Sequence, residues 1–243
     1  MKRIKKNLTN YCISHDYIDY LDTLNIKIIG SNGYKKKYPS HWFNDASGKN
    51  ISKKNKNFGT LTSIYWIWKN KAKYIKSNEY IGVCHYRRFW LKEKHENKIN
   101  KSNLKKNILR NIPKKYKNIE AFVCKPIDLR GYKFSKLIKK AKINILKDPS
   151  ILFNNKKHTI NLHFDMFHIR NGLLNSIELL NKKDKNEFLY YVNNKTYFYP
   201  LSIFIMKKRK FETLCTTTFN WLKKCEKLFD DEDLDGYGKT RIY

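Results

Sequence analysis

Two short stretches of this chain carry residue types and spacings able to do chemistry. The first is His85-Tyr86-Arg87-Arg88, which follows directly on the apolar run Tyr80-Ile-Gly-Val-Cys84. A short apolar run of this kind reads as a buried strand, and in an open α/β sheet the carboxyl ends of the strands face the ligand crevice. Two adjacent guanidiniums at such an end repel one another and lose hydration unless an anion satisfies them. Planar bidentate donors match phosphate oxygens, and a diphosphate has enough of them for two arginines. A phosphate-bearing ligand is the inference; pairing of both arginines with protein carboxylates is the competing one. The second stretch is the loop from Asp45 to Asn55, with Asp45, Ser47, Asn50, Ser52 and Asn55. Short polar side chains before a helix serve as caps and turn formers, and they equally suit a hydroxyl-rich ligand such as a ribose, base or sugar.

Alternating strands and helices must position these stretches. Asn10 to His15 reads as a first strand and Ile26-Lys-Ile-Ile-Gly30 as a second. After the polar loop, Leu61, Ile64, Tyr65 and Trp68 fall at i, i+3, i+4 and i+7, which predicts a helix with one apolar stripe, read as core. Tyr80 to Cys84 is a strand, and Lys92 to Asn118 is surface helix and loop. Ile119 to Cys124 is a strand stopped by Pro126, and a helix starts near Lys133. Leu162 to Leu180 reads as helix from about residue 164, and Phe188 to Val192 as a further helical segment. Tyr199 to Met206 reads as a strand, and Phe211 to Cys225 as a final amphipathic helix. The alternation predicts a three-layer α/β fold with a largely parallel sheet.

Composition narrows the function less than its size suggests. Of 243 residues, 52 are Lys or Arg and 21 are Asp or Glu, giving a formal charge of +31. Only eight of the basic residues are arginines. Abundant Lys, Asn and Ile fit an AT-rich coding bias on surface positions, so the arginines carry more information than the lysines. Hydrophobic residues at 41% suffice for a core. No apolar run is long enough for a membrane helix, and the basic start has no apolar segment behind it, so a cytoplasmic protein is expected. Five scattered cysteines without a CxxC pair argue against a disulfide framework and a zinc site. Asp231-Glu-Asp233 and Asp233-Leu-Asp235 match Asp-x-Asp literally, but no apolar strand precedes them and they read as a solvated acidic turn.

The segment from Asp45 to Arg88 resembles the signature half of a bacterial family of capsule and exopolysaccharide glycosyltransferases. The matching residues are Asp45-Ala-Ser-Gly-Lys-Asn-Ile-Ser52, Asn55, Leu61-Thr-Ser-Ile-Tyr-Trp-Ile-Trp-Lys-Asn70 and Ile81-Gly-Val-Cys-His-Tyr-Arg-Arg88. A weaker likeness continues through His168 and Ile203-Phe-Ile-Met206 to the last helix. The resemblance implies a single GT-A-like domain over residues 1–243, with a nucleotide-sugar-binding half to about residue 126 and an acceptor half from about 127. It implies transfer of a sugar from a nucleotide-diphosphate donor to a capsular, lipooligosaccharide or exopolysaccharide acceptor, which is a glycan or lipid-linked glycan. Donor-binding residues would be Asp45, Asn50, Ser52, Asn55, His85, Tyr86, Arg87 and Arg88. GT-A enzymes usually place an Asp-x-Asp and a divalent metal, Mn or Mg, where this chain has His-Tyr-Arg-Arg. Direct neutralisation of the leaving diphosphate by arginine is therefore favoured over a metal, and no metal ligand is assigned.

Sugar transfer also needs a base for the acceptor hydroxyl. Asp165 and His168, three apart and so on one helix face, are the candidates, with His163 nearby and His85 as a third catalytic candidate. A structural helix with polar surface groups is the plain alternative. Thr60 and Tyr199-Pro-Leu-Ser202 depart from the family pattern, and a Gly-Phe-Leu-x-Glu-Arg segment expected after Arg241 is missing because the sequence stops at Tyr243. If that segment helps close the acceptor site, a truncated, impaired or specialised protein is the expectation. Two other readings stand beside this one, both without catalysis. One is a basic nucleic-acid-binding protein, against which the dispersed lysines and absent motif argue. The other is a module peripheral to an anionic membrane surface, compatible with a transferase on the inner face of the cytoplasmic membrane.

Overall fold

The strand-forming runs of the amino-terminal half converge on one six-stranded sheet. The computed structural model describes residues 7–94, 96, 98–200 and 202–228. Strands β1 (Leu8–Ser14), β2 (Lys27–Gly30), β3 (Phe43–Asn44) and β4 (Tyr80–His85) are joined in the order β3-β2-β1-β4, and all three pairings are parallel. Helices α1 (Asn55–Phe58), α2 (Leu61–Asn70) and α3 (Lys101–Asn107) lie in the connections. Beyond β4 the sheet continues through β8 (Phe204–Lys207) to β5 (Ala121–Val123), and β8 runs antiparallel to both neighbours. The expected α/β architecture with a mostly parallel sheet is therefore present.

The chain divides into two compact units. The first comprises residues 1–124 and 201–217 and holds this sheet; the second comprises 125–200 and 218–243. In the first unit consecutive residues Tyr11, Cys12 and Ile13 are all buried, so both faces of the sheet are covered, the pattern of a parallel sheet between two layers. One face packs Cys12, Cys84 and Ile28 against Leu21, Leu24, Trp42 and Leu104. On the other, Phe43 meets the rings of Tyr11 and Trp66, which brings α2 onto the sheet. Each fully buried large side chain in β4 contributes about 1.5–3 kcal/mol. Gly82, the register partner of Asn10, leaves room for the Asn10 side chain: a Cβ there would stand 1.9 Å from Asn10 Oδ1, and Asn10 spans the position to donate to the Leu109 carbonyl at 2.7 Å.

The second unit is mainly helical, with α4 (Phe134–Lys140), α5 (Lys142–Lys147), α6 (Ile160–Phe167), α7 (Gly172–Ile177) and α8 (Lys182–Asn194). A small antiparallel pair, β6 (Ile127–Asp128) with β7 (Tyr197–Phe198), sits beside them. Helix α9 (Lys208–Leu228) begins in the first unit and ends in the second, where Trp221 Nε1 donates to the Ser176 carbonyl at 2.6 Å.

Three sequence expectations need correction. The single helix expected from about residue 164 to 180 is broken: α6 stops at Phe167, and Asn171 has φ +58°. The Asp165 carboxylate accepts the Asn171 N–H at 2.9 Å, so a side chain takes over the satisfaction of the backbone after the helix end. Of the strand expected over Tyr199 to Met206 only the end is strand: β8 starts at Phe204, and β7, in the other sheet, has ended at Phe198 before Pro200, which cannot donate to a ladder. On α2, the buried residues are Thr62, Ser63, Ile64, Trp66 and Ile67, whereas Leu61, Tyr65 and Trp68 of the expected stripe are only half-buried. The inward face is partly polar, and hydrophobic periodicity alone points away from it. Of the five cysteines, Cys12, Cys84, Cys215 and Cys225 are buried free thiols and Cys124 is half-buried.

Candidate active site at the carboxyl ends of the strands

The sheet order places a topological switch between β1 and β4: the chain runs β1, β2, β3 to one side, then crosses to place β4 on the other side of β1. Crevices at such points are where open α/β sheets bind ligands. Here the crevice is bounded by His15 after β1, Ser31 after β2, Asp45 after β3 and His85 at the end of β4.

Asp45 is the centre of the loop architecture. It is fully buried, and five donors surround it: the N–H groups of Asn32 (3.1 Å) and Gly33 (2.8 Å), and the hydroxyls of Ser52 (2.8 Å), Thr62 (2.7 Å) and Ser63 (3.3 Å). Thr62 and Ser63 belong to the first turn of α2, so the carboxylate also lies near the positive end of a helix dipole. One side chain thus ties the ends of β2 and β3, the Ser52 turn and the start of α2. Ser52 is buried too and accepts the Tyr34 N–H at 3.2 Å. Asn50 closes its own loop, donating to the carbonyls of Ala46 (2.9 Å) and Gly48 (3.0 Å) and accepting the Ser52 N–H at 3.2 Å. Asn55 links Ser31 Oγ, the Gly59 carbonyl and Thr62 Oγ1 at 2.8–3.2 Å.

The polar side-chain atoms of Asp45 and Ser52 are buried and engaged by protein partners, and in these contacts they shape the loop. Asn50 and Asn55 share in the same framework. Sequence reasoning missed the face of α2 that grips this loop. Thr62, Trp66 and Asn70 recur every fourth residue; Trp66 Nε1 donates to the Ser47 carbonyl at 2.9 Å, and Asn70 exchanges hydrogen bonds with Lys49 at 2.8 and 3.1 Å. Gly48, at φ +54°, leaves room for that grip, since a Cβ would meet Asn70 Oδ1 at 2.4 Å. The spacing i, i+4, i+8 of polar and indole donors was the available signal.

His85 to Arg88 form a tight turn closed by reciprocal backbone hydrogen bonds, His85 N–H to Arg88 carbonyl at 3.2 Å and Arg88 N–H to His85 carbonyl at 2.9 Å. The turn is pinned to β1 by the Tyr86 N–H on the Ile13 carbonyl and by the Tyr20 hydroxyl on the Tyr86 carbonyl. Trp90 then folds back to donate to the Val83 carbonyl at 3.1 Å. Arg87 and Arg88 are exposed, and neither meets a carboxylate among the described residues; the Arg87 guanidinium lies 4.8 Å from the Tyr86 ring centroid. The premise that burial penalises these arginines is therefore corrected: the turn, not desolvation, holds two hydrated cations side by side.

His85 itself is mostly buried. Burial, chiefly, with the neighbouring His15 and Arg88 charges, lowers its pKa to about 4, so the ring is neutral near pH 7. One nitrogen bonds the Ser202 backbone, while Nε2 is buried and without a hydrogen-bond partner among the described residues. Beside the turn, Lys36 Nζ donates to the His15 carbonyl (2.7 Å) and to Asp16 (2.6 Å), and Tyr38 donates to the carbonyls of His15 (2.9 Å) and Ser31 (2.6 Å). The loops after β1 and β2 are thereby locked together.

Asp165 and His168 belong to the second unit. Asp165 accepts from Asn144 Nδ2 (3.0 Å) and from the Asn171 N–H, and His168 is the residue at which α6 ends, its ring 4.6 Å from that of Phe164. The helical-face argument for pairing them loses its basis, because His168 has extended backbone (φ −130°, ψ −163°). His163, which the sequence places near these two candidates, is bonded through Nδ1 to the Tyr132 hydroxyl, and burial, then the His168 and Lys136 charges, brings its pKa to about 4. Among the described residues no three His, Cys, Asp or Glu side chains converge as a metal site requires. The two exposed guanidiniums at the end of β4 set positive charge against a divalent cation there. The Asp-x-Asp matches at 231–235 and Arg241 lie outside the described residues.

Comparison with known proteins agrees with this architecture. No curated protein matches the chain. Among solved structures, the chain is similar to one described as the apo structure of a bifunctional glycosyltransferase, WbbM, with a TM-score of 0.57 and 17% identity. The match covers 97% of this chain and 40% of that one, so this chain spans about two fifths of the length of that protein. The likeness shows the fold, a GT-A-like α/β domain. No helix among the described residues is long and apolar enough to cross a membrane. A family model described as "Domain of unknown function (DUF4422)" matches residues 10–243. With all but its first nine residues under that model, the chain belongs to the DUF4422 family.

Proposed function

We propose that this chain is a glycosyltransferase that binds a nucleotide-diphosphate sugar in the crevice between β1 and β4 and passes the sugar to a glycan or lipid-linked glycan of a capsular, lipooligosaccharide or exopolysaccharide. The observation that carries the reading is the pair of exposed guanidiniums, unpaired among the described residues, held by a backbone-closed turn at a topological switch point. In the transfer step the acceptor hydroxyl attacks the anomeric carbon, the bond to the diphosphate breaks, and negative charge grows on the leaving phosphate. Arg87 and Arg88, already in place, stabilise that charge without a metal. Tyr86 holds the Arg87 plane through its ring. His85, neutral and with a buried Nε2 that has no partner among the described residues, is suited to accept a hydrogen bond. Asp165 and His168 remain the candidates for activating the acceptor hydroxyl. Residues 1–126 would then bind the donor and 127–243 the acceptor.

Titration calorimetry with a panel of nucleotide sugars tests this reading. The native chain should bind at least one donor. Arg87→Ala and Arg88→Ala should each weaken binding about 10- to 100-fold, the loss of a charge-assisted hydrogen bond. No binding to any donor, or unchanged binding in both variants, would refute the role given to the arginines.

A further inference from the structure

The second unit carries a surface that the proposed reaction does not use. Helix α4 turns Leu137 inward onto the cluster of Ala141, Ile151, Leu162 and Met166, yet leaves Phe134 and Ile138, one turn apart, outside. Helix α5 exposes Ile143 and Leu146 in the same way, and Phe153 follows the Pro149–Leu152 turn. Leu146 and Phe153 are each 83% exposed, and the Phe134 and Phe153 rings lie 6.5 Å apart, so the outward side chains of α4 and of the later turn stand together. Large apolar side chains grouped in this way on a surface mark a contact site.

The charge around them selects the partner. Residues 133–157 contain eight lysines, no arginine and a single acid, Asp148, which is already paired with Lys157 at 2.5 Å. Lys133, Lys136, Lys139, Lys140, Lys142 and Lys147 are exposed between the apolar groups. A second copy of this chain would bring the same lysines face to face and is disfavoured by repulsion. Single-stranded nucleic acid would satisfy the ammonium groups, but it binds by stacking on aromatic rings and arginine planes, leaving Ile138, Ile143 and Leu146 unused. An anionic bilayer meets both demands. Its headgroups take the ammonium ends, and the boundary with the acyl chains takes the aliphatic and phenyl groups, while the lysine stems lie along the interface.

We infer that the α4–α5 surface, from Phe134 to Phe153, is a membrane-docking face that inserts its apolar side chains into an anionic lipid surface. This inference is independent of the reaction proposed above.

The test is co-sedimentation of the full chain with vesicles of phosphatidylcholine alone or with 30% phosphatidylglycerol. Because a charge of +31 can attract anionic vesicles anywhere on the surface, the decisive variant leaves charge unchanged: Phe134→Ser with Phe153→Ser. Both residues are exposed, and thermal melts by circular dichroism check that the variant folds. The native chain should bind phosphatidylglycerol vesicles, and the double serine variant should bind about 10-fold more weakly. Lys139→Ala/Lys140→Ala/Lys142→Ala should weaken binding more than Lys92→Ala/Lys94→Ala/Lys98→Ala, which removes equal charge from the first unit. Absence of vesicle binding by the native chain, a folded serine variant that binds as the native chain does, or equal effects of the two lysine triples would overturn the inference. So would serine substitutions that abolish self-association in sedimentation velocity, or oligonucleotide binding, while leaving vesicle binding intact.

Discussion

Replacing Asp45 by Asn preserves shape and removes only the acceptor capacity of one oxygen, which makes it a sharp test of how the candidate site is built. In the native loop Oδ1 accepts from Gly33 N–H and Ser52 Oγ, and Oδ2 from Asn32 N–H, Thr62 and Ser63. The hydroxyls can adjust, since Thr62 also reaches the Gly59 carbonyl at 3.0 Å. The backbone N–H groups cannot. An amide nitrogen on the Oδ1 side leaves Gly33 N–H without an acceptor; on the Oδ2 side it leaves Asn32 N–H without one. One buried N–H left unmade costs about 1–3 kcal/mol, and the remaining bonds lose their charge assistance, so a total of about 2–3 kcal/mol is expected. In a chain of this size that corresponds to a fall in Tm of about 5–10 °C. Urea unfolding followed by tryptophan fluorescence reads it directly, because Trp42 and Trp66 are buried in the same unit. A change of less than about 0.5 kcal/mol, the range of ordinary surface substitutions, would refute the claim that this carboxylate holds the loop together.

Two further predictions concern stability. Gly82→Ala places a Cβ against Asn10 Oδ1 and should cost about 1–3 kcal/mol by overpacking; adding Asn10→Ala should restore part of the loss in a urea double-mutant cycle, and strict additivity would contradict the close approach. For His85 the folded pKa of about 4 lies below the ordinary value of 6.5, so between these values the unfolded chain binds more protons. Its contribution to stability is complete above pH 6.5 and declines as pH falls to about 4, with a slope of at most about 1.4 kcal/mol per pH unit. His163 acts in the same direction. Stability measured from pH 7 to 4.5 should fall less steeply in His85→Gln, and parallel curves would count against a buried neutral ring.

Much of the fold is legible in the sequence because its elements are local. The apolar run before His85 and the valine and isoleucine strands announce a buried sheet, and the turn at His85 to Arg88 follows from where that run stops. What is not legible is long-range. The strand order that makes β1 and β4 flank a switch point comes from pairings between distant segments, and no local pattern encodes it. The framework contacts of Asp45 are hidden for a related reason: its donors lie up to 18 residues away in the chain. On α2, the inward face mixes Thr62 and Ser63 with Ile64 and Ile67, so a hydrophobic stripe could not locate it. The break after Phe167 depends on one side-chain-to-backbone hydrogen bond from Asn171 to Asp165, which a periodic pattern running through residue 180 conceals.

The account rests on the diphosphate of a nucleotide sugar being held by the turn at the end of β4. A crystal structure of the chain with a nucleoside diphosphate, grown with Mn²⁺ present, tests this most directly. The account predicts diphosphate oxygens within hydrogen-bond distance of the Arg87 and Arg88 guanidiniums, the nucleoside in the crevice beside β1, and no Mn²⁺ between the phosphates and the protein. A diphosphate bound away from residues 85–88, or one bridged to the protein through Mn²⁺, would contradict it.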